Sequence, residues 1–328
     1  MKAWRFIAAG KPLELHDVQD PQPEPGEVVV EIQAAGLCHS DLYTLDGRWP
    51  TPAPLTLGHE GAGRISAIGA DVPGLRVGDM VAVHGANACL QCPQCRRGRT
   101  NLCEREERMG LTVDGMFTEF ARCKANSIIP VPDGVPVEAA AIATDAILTP
   151  YHALSSVGQL RSGERVAIFG LGGLGVHATQ LARVLGASEV VGVDPDPRKR
   201  AQAAGFGVTE VLAEGQRLAD QRVDLALDLV GSQDTILAAQ HAVQNGGRVV
   251  VVGLTSDEAP LVALRYGAQE LALLGAFWGT ESELRSCLDL LADGAIRAVF
   301  ETAPLDTVNE QVDRLRRGEI AGRMALVS

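Results

Sequence analysis

Hydrophobic and polar positions follow two different patterns along the chain. Up to about Ile147 the apolar residues come in short runs, VVVEI and MVAVHG among them, divided by Pro- and Gly-rich stretches such as DPQPEPGE and ADVPGLRVGD. Short runs bounded by turn formers predict strands, and their uneven spacing predicts an irregular, mostly β domain. At Leu148 strands begin to alternate with helices: RVAIFG, a helix from Gly172 to about Leu185, then EVVGVD, DLALDLV and RVVVVGL. Strands that are continuous Val, Ile and Leu predict a parallel sheet covered on both faces. From Trp278 a helical stretch, ESELRSCLDLLADG, and a closing MALV strand break the alternation and are expected to rejoin the first domain. The expected organisation is therefore 1–147 and 278–328 as one discontinuous domain around an inserted α/β domain, 148–277. No internal repeat or low-complexity segment interrupts it.

A length of 328 residues suits two domains with their own cores. Hydrophobic residues at 46% and charged residues at 21% are ordinary for a globular protein. The net charge of -12 argues against a nucleic-acid partner, which requires clustered Lys and Arg, and favours a small-molecule one. The long apolar stretch Arg165 to Val193 is broken by glycines and polar residues, so no membrane span is expected. The start MKAWRFIAAG lacks the apolar run of a signal peptide, so a cytoplasmic location is expected. Cysteine usage agrees: seven residues, four of them within fifteen positions, suit metal binding in a reducing compartment better than disulfides.

The string GLGGLG places Gly170, Gly172 and Gly175 as G-x-G-x-x-G, directly after the strand RVAIF and at the start of a helix. That context is the one a dinucleotide fingerprint requires. The first glycine permits the tight turn and the second lets backbone approach a pyrophosphate. The third lets helix and strand pack closely. Gly173 and Leu174 complete the loop, whose N–H groups at the helix amino terminus favour anions. Asp194 ends the next strand nineteen residues after Gly175, where a carboxylate binds ribose hydroxyls and repels a 2′-phosphate, so NAD is favoured over NADP. Arg198, four residues on, either stacks on adenine and tolerates a phosphate or is a solvated helix charge.

Cys89, Cys92, Cys95 and Cys103 form C-x2-C-x2-C-x7-C in a polar, Arg-rich loop. Four thiolates so spaced close a tetrahedron around one zinc with no open position; an iron–sulfur cluster is the chemical rival. This lobe at 85–105, together with the strings GLCHSDLYTLDG and GHEGAGRI upstream, resembles the zinc-dependent medium-chain alcohol dehydrogenases. The resemblance spans essentially the whole chain. It implies a GroES-like catalytic domain, a Rossmann dinucleotide-binding domain, two zinc ions per chain, NAD, and an alcohol or carbonyl substrate. For the catalytic zinc it implies Cys38 and His59 as ligands. The family takes its third ligand from a cysteine, or in some branches an acidic residue; the resemblance puts Asp145, in ATDAILTPYHAL, at that position, either as a ligand or as a cap or hydrogen-bonding group beside the site, and Glu60 is either an alternate ligand or a neighbour of the ligands.

By the same resemblance Ser40 is the hydroxyl that passes the substrate proton outward, and Asp41 orients the ligand histidine. His39 and Arg323 face cofactor phosphates, and Gly253 and Leu254 belong to the cofactor site. Tyr43 replaces a histidine frequent in the family's proton relay; a phenol does not titrate near neutrality. Trp49 is either a wall of the substrate pocket or core, while Cys123 and Cys287 have no partner spacing and read as filler. Two other readings compete: a polyol or sugar dehydrogenase of the same fold, and a metal-free dinucleotide-binding interaction protein. The family implies a homodimer or homotetramer, with the region from Leu254 to Leu274 as the expected contact.

Overall fold

The structure is a computed structural model that describes residues 1–105, 107–213 and 222–328. The chain divides into two compact units: Met1–Asp145 with Thr280–Asp293 and Phe300–Ser328, and Ala146–Gly279 with Gly294–Val299.

The first unit is built on a seven-stranded sheet. Its order is Ile128–Pro130, Met80–Val83, Glu60–Ile68, Glu27–Leu37, Arg323–Val327 and Phe300–Pro304, with Phe120–Lys124 also pairing to Glu27–Leu37. The run VVVEI that predicted a strand is its central member; Val28, Val30 and Ile32 are buried with Ile65, Val81, Val83 and Phe117 in one core. The pairing register gathers the chemistry. Gly36 stands opposite Glu60 on one neighbour and Ala325 on the other, so Cys38, His59 and Arg323 emerge at the same end of the sheet. A Cβ on Gly36 would lie 2.1 Å from Glu60 Oε2, so glycine there is what leaves room for the glutamate. The stretch ESELRSCLDLLA is the helix Glu281–Ala292, begun by a reciprocal cap in which Glu283 accepts the Thr280 N–H at 2.8 Å.

The second unit holds a six-stranded, all-parallel sheet. Its order is Glu210–Leu212, Glu189–Val193, Arg165–Phe169, Val223–Asp228, Val243–Val251 and Ala272–Gly275. The order reverses between Arg165–Phe169 and Val223–Asp228, the switch point where such sheets bind ligands beyond their carboxyl ends. The helix expected from Gly172 begins at Gly175 instead, because Gly172–Leu174 is spent on the turn. The third segment also departs from expectation at Gly294–Val299, which packs with the second unit: the Gln180 side chain bonds both the N–H and the carbonyl of Arg297. Among the described residues no helix is long and apolar enough to cross a membrane.

Candidate functional site

Cys38 ends the central strand's exit and precedes the helix His39–Leu45. Its Sγ lies 3.4 Å from Asp145 Oδ2 and 3.5 Å from Ser40 Oγ. His59 Nε2 is 3.9 Å from both Asp145 Oδ2 and Glu60 Oε1, and its Nδ1 faces Asp41 Oδ1 at 3.3 Å. Asp41 is itself fixed, since its other oxygen accepts the Cys38 N–H at 2.9 Å. The Asp41 carboxylate beside Nδ1 orients the ring, so that Nε2 is the nitrogen facing Asp145 and Glu60. Asp145 is delivered by a π-helical turn, Ala143–Ile147, inserted between the helices Val137–Ile142 and Leu148–His152. One such widened turn shifts a side chain out of the α-helical register, a recurrent device at functional sites.

Ligands about 2.0–2.3 Å from a tetrahedral zinc stand about 3.3–3.8 Å apart. The separations among Cys38, His59 and Asp145 fit an ion between them, and the ligand atoms of these three and Glu60 all lie within 4.8 Å of one another. The buried acids make the cluster demand a cation. Burial pushes Glu60 up to about 7 although Arg323 pulls it down, with Asp145 pushing it further up. Burial opposes a charge on His59, yet Asp41 and Cys38 together outweigh it and raise the imidazole well above its ordinary value.

Arg323 is 4% exposed, and its guanidinium spans two carboxylates. Nε donates to both Glu60 oxygens at 3.0 and 3.3 Å, while Nη2 donates to Glu60 Oε1 and Asp145 Oδ2. The reason is register: Arg323 opens the last strand just before Met324, which stands opposite Leu37, and so lies within reach of Glu60 across Gly36. Glu60 is thereby held on the guanidinium through both oxygens, whereas Asp145 sits nearest Cys38.

The four cysteines of the loop are gathered into one cluster, with backbone N–H groups directed at their sulfurs. Cys103 Sγ accepts N–H bonds from Cys89 and Arg105 at 3.3 and 3.4 Å, and Cys89 Sγ accepts from Gln91 and Cys92, both at 3.4 Å. Hydrogen bonds from backbone N–H groups, chiefly Cys95 and Glu104, lower the Cys92 thiol to about 6. All seven cysteines are free, and the four sulfurs lie within 4.8 Å of one another.

At the glycine loop Gly170 and Gly175 meet steric constraints, while Gly172 faces open space. Gly170 has φ of 89°, the left-handed turn a side chain resists; a Cβ on Gly172 would meet nothing within 4 Å; one on Gly175 would lie 2.0 Å from the Gly170 carbonyl oxygen. Asp194 accepts the N–H of Leu171 and of Asp196, both at 2.8 Å, through different oxygens. Each oxygen keeps a further lone pair for a ribose hydroxyl. Gly253 is required by packing, since its Cβ would lie 2.0 Å from the Val230 carbonyl carbon, while Leu254 is largely exposed. His39 is exposed at the first position of its helix.

Residues 24–133 match the model of the alcohol dehydrogenase GroES-like domain and residues 173–293 that of the zinc-binding dehydrogenases. An alcohol dehydrogenase of Geobacillus stearothermophilus is 35% identical over 336 residues, covering 99% of both chains. The chain belongs to the zinc-dependent medium-chain alcohol dehydrogenase family. Alcohol dehydrogenase 1 of Emericella nidulans is also 35% identical, covering 98% of this chain and 97% of its own. Among solved structures, acetophenone reductase from Geotrichum candidum in complex with NAD superposes with a TM-score of 0.94 at 36% identity, covering 100% of this chain and 97% of its own. The alcohol dehydrogenase of Aeropyrum pernix gives 0.94 at 33%, with both chains fully covered. This dehydrogenase is thus an enzyme, and the reading as a metal-free interaction protein is set aside.

Two features of this dehydrogenase escaped the sequence reading. Asp196 caps the helix Pro197–Ala203 and pairs with the exposed Arg198 through both carboxylate oxygens, at 2.7 to 3.2 Å. The Asp-Pro pair was a legible helix-start signal. Tyr43 packs edge-on against Trp49 at 5.6 Å with the Arg48 guanidinium 4.3 Å over its ring.

Proposed function

We propose that this dehydrogenase interconverts an alcohol and its aldehyde or ketone, using NAD, at a catalytic zinc held by Cys38, His59 and Asp145. The observation that carries the assignment is the convergence of these three side chains, 3.4 and 3.9 Å apart, from three separate elements. A bound zinc supplies Lewis acidity toward the substrate oxygen and NAD supplies the hydride acceptor. The chain's own groups do the rest. Asp41 fixes the His59 ring, and Arg323 holds Glu60 back and neutralises part of the acidic charge. Ser40, half-buried beside Cys38, offers the hydroxyl through which a substrate proton leaves. Cys89, Cys92, Cys95 and Cys103 hold a second, structural zinc.

NAD is favoured over NADP because the Asp194 carboxylate stands where a 2′-phosphate would add a second negative charge, and Asp196 offsets part of the charge of the nearby Arg198. A polyol or sugar is the second substrate reading, favoured by the carboxylate at Asp145 in place of the family's thiolate. A panel of primary, secondary, cyclic and polyol substrates, followed by NADH absorbance, tests both. Turnover of simple alcohols is expected, preference for polyols would move the assignment to the second reading, and no turnover with both zinc ions present would overturn it.

We assign the assembly to a second copy of the chain, seated on the edge of the nucleotide sheet. Ala272–Gly275 is an edge strand with Leu273 43% exposed, and Leu254, Leu261 and Leu264 in the same segment are 44%, 56% and 85% exposed. An uncovered apolar edge is an aggregation hazard that pairing removes. Seven cysteines, none in a disulfide and five gathered at the two metal clusters, support a cytoplasmic, reducing location.

A further inference from the structure

We infer that His177 is a positioning residue for the dinucleotide pyrophosphate, holding the Gly173 carbonyl so that the Gly172–Leu174 loop keeps its binding shape; the inference rests on the NAD reading above. His177 lies in the first turn of the helix Gly175–Val184 and is fully buried. Its ring bridges two backbone groups: Nδ1 is 2.7 Å from the Gly173 carbonyl oxygen, and the Val299 N–H donates to Nε2 at 2.9 Å. An N–H donated to Nε2 makes that nitrogen the acceptor and assigns the ring proton to Nδ1, which then donates to Gly173.

The loop needs such a hold. Two of its three residues are glycines, which lose the most conformational freedom on ordering. Leu174 at the helix start makes no side-chain cap. The backbone N–H of His177 goes to the Leu174 carbonyl at 3.2 Å, one position short of the α-helical partner, and the imidazole takes the Gly173 carbonyl that this leaves. The loop is thus held from its carbonyl side, which leaves its N–H side for phosphate oxygens.

The ring is in turn oriented from the far side. One turn along the helix, Gln180 repeats the arrangement: its Nε2 donates to the Val176 carbonyl at 3.2 Å and its Oε1 accepts the Arg297 N–H at 2.8 Å. His177 and Gln180 together lay the segment Gly294–Val299 against the helix. This also names the conservative replacement. A glutamine in place of His177 has the same donor and acceptor, and Gln180 already demonstrates that a glutamine on this helix face makes both bonds.

The test compares wild type, His177→Leu and His177→Gln, measuring affinity for NAD, ADP-ribose and adenosine, with zinc content as the check on folding. Adenosine carries the ribose but no phosphate. The leucine variant is expected to lose about tenfold or more for NAD and ADP-ribose, the equivalent of about 1.4 kcal/mol, and to keep adenosine affinity within about twofold. The glutamine variant is expected to return ADP-ribose to within about threefold of wild type. Equal losses for adenosine and ADP-ribose, or no loss for either, would overturn the role. If only the glutamine variant folds, its ratio of ADP-ribose to adenosine affinity decides, and a ratio far below wild type counts against the role. Wild-type protein that binds neither NAD nor ADP-ribose would instead fail the NAD reading itself.

Discussion

Asp194 performs two tasks that a graded series of substitutions separates. Its carboxylate is 4% exposed and accepts the N–H of Leu171 and of Asp196 at 2.8 Å, one on each oxygen, and its charge is what should exclude a 2′-phosphate. Asp194→Asn removes the charge and keeps one acceptor oxygen; Asp194→Gly removes both. An N–H left without its acceptor costs about 1–3 kcal/mol when buried, and Asp196 N–H is only partly so. The asparagine variant should therefore lose about 1–2 kcal/mol of stability and the glycine variant about 2–4. At about 2–4 °C per kcal/mol for domains of this size, thermal midpoints should fall by several degrees at each step. Selectivity should behave differently. Wild type is expected to prefer NAD over NADP by at least about tenfold in kcat/KM, about 1.4 kcal/mol, and most of that gap should close at the first substitution, where the charge disappears. An asparagine variant that keeps the full NAD preference would show that charge is not the discriminator. A glycine variant as stable as wild type would show that the two hydrogen bonds carry no weight.

Cys103→Ser removes a sulfur that accepts two backbone N–H bonds in the four-cysteine cluster, so it should cost one zinc per chain and lower the thermal midpoint while leaving hydride transfer in the folded fraction within about threefold. Retention of two zinc ions by that variant would refute the zinc site at this cluster. In wild type, chelators should strip the zinc at Cys38, His59 and Asp145 before the one held by four thiolates. Arg323→Ala leaves two buried carboxylates without their shared cation and should destabilise the protein by about 3–5 kcal/mol, read by denaturant unfolding. Unchanged stability with only a raised KM for NAD would assign Arg323 the phosphate role that the sequence suggested.

Local periodicity made much of the fold legible. Uninterrupted runs such as RVAIF and EVVGV, alternating with helical stretches, pointed to doubly covered parallel strands, and Gly170 and Gly175 of the glycine string answer backbone constraints within a few residues. The same holds for the four cysteines, whose spacing is itself the chelate. Contacts that join distant parts of the chain were less legible. The Arg323–Glu60 pair spans 263 positions and depends on strand register, which no local pattern encodes. The π-helical turn that aims Asp145 is one extra residue in an otherwise helical run, invisible to a 3.6-residue period. Gly294–Val299 reads as the end of a helical region, yet side-chain bonds from Gln180 and His177 bind it to the nucleotide-binding unit.

The central claim is that a carboxylate, Asp145, completes the catalytic zinc site with Cys38 and His59, while Arg323 holds Glu60 aside. Its most direct test is zinc content, measured together with single-turnover hydride transfer, in Asp145→Asn. The substitution keeps shape but removes the anionic ligand 3.4 Å from Cys38 Sγ. One zinc per chain and hydride transfer reduced by at least about 100-fold are expected, because an amide is a poor substitute for a ligand carboxylate. Two zinc ions with near-normal hydride transfer would mean that Asp145 is not a ligand.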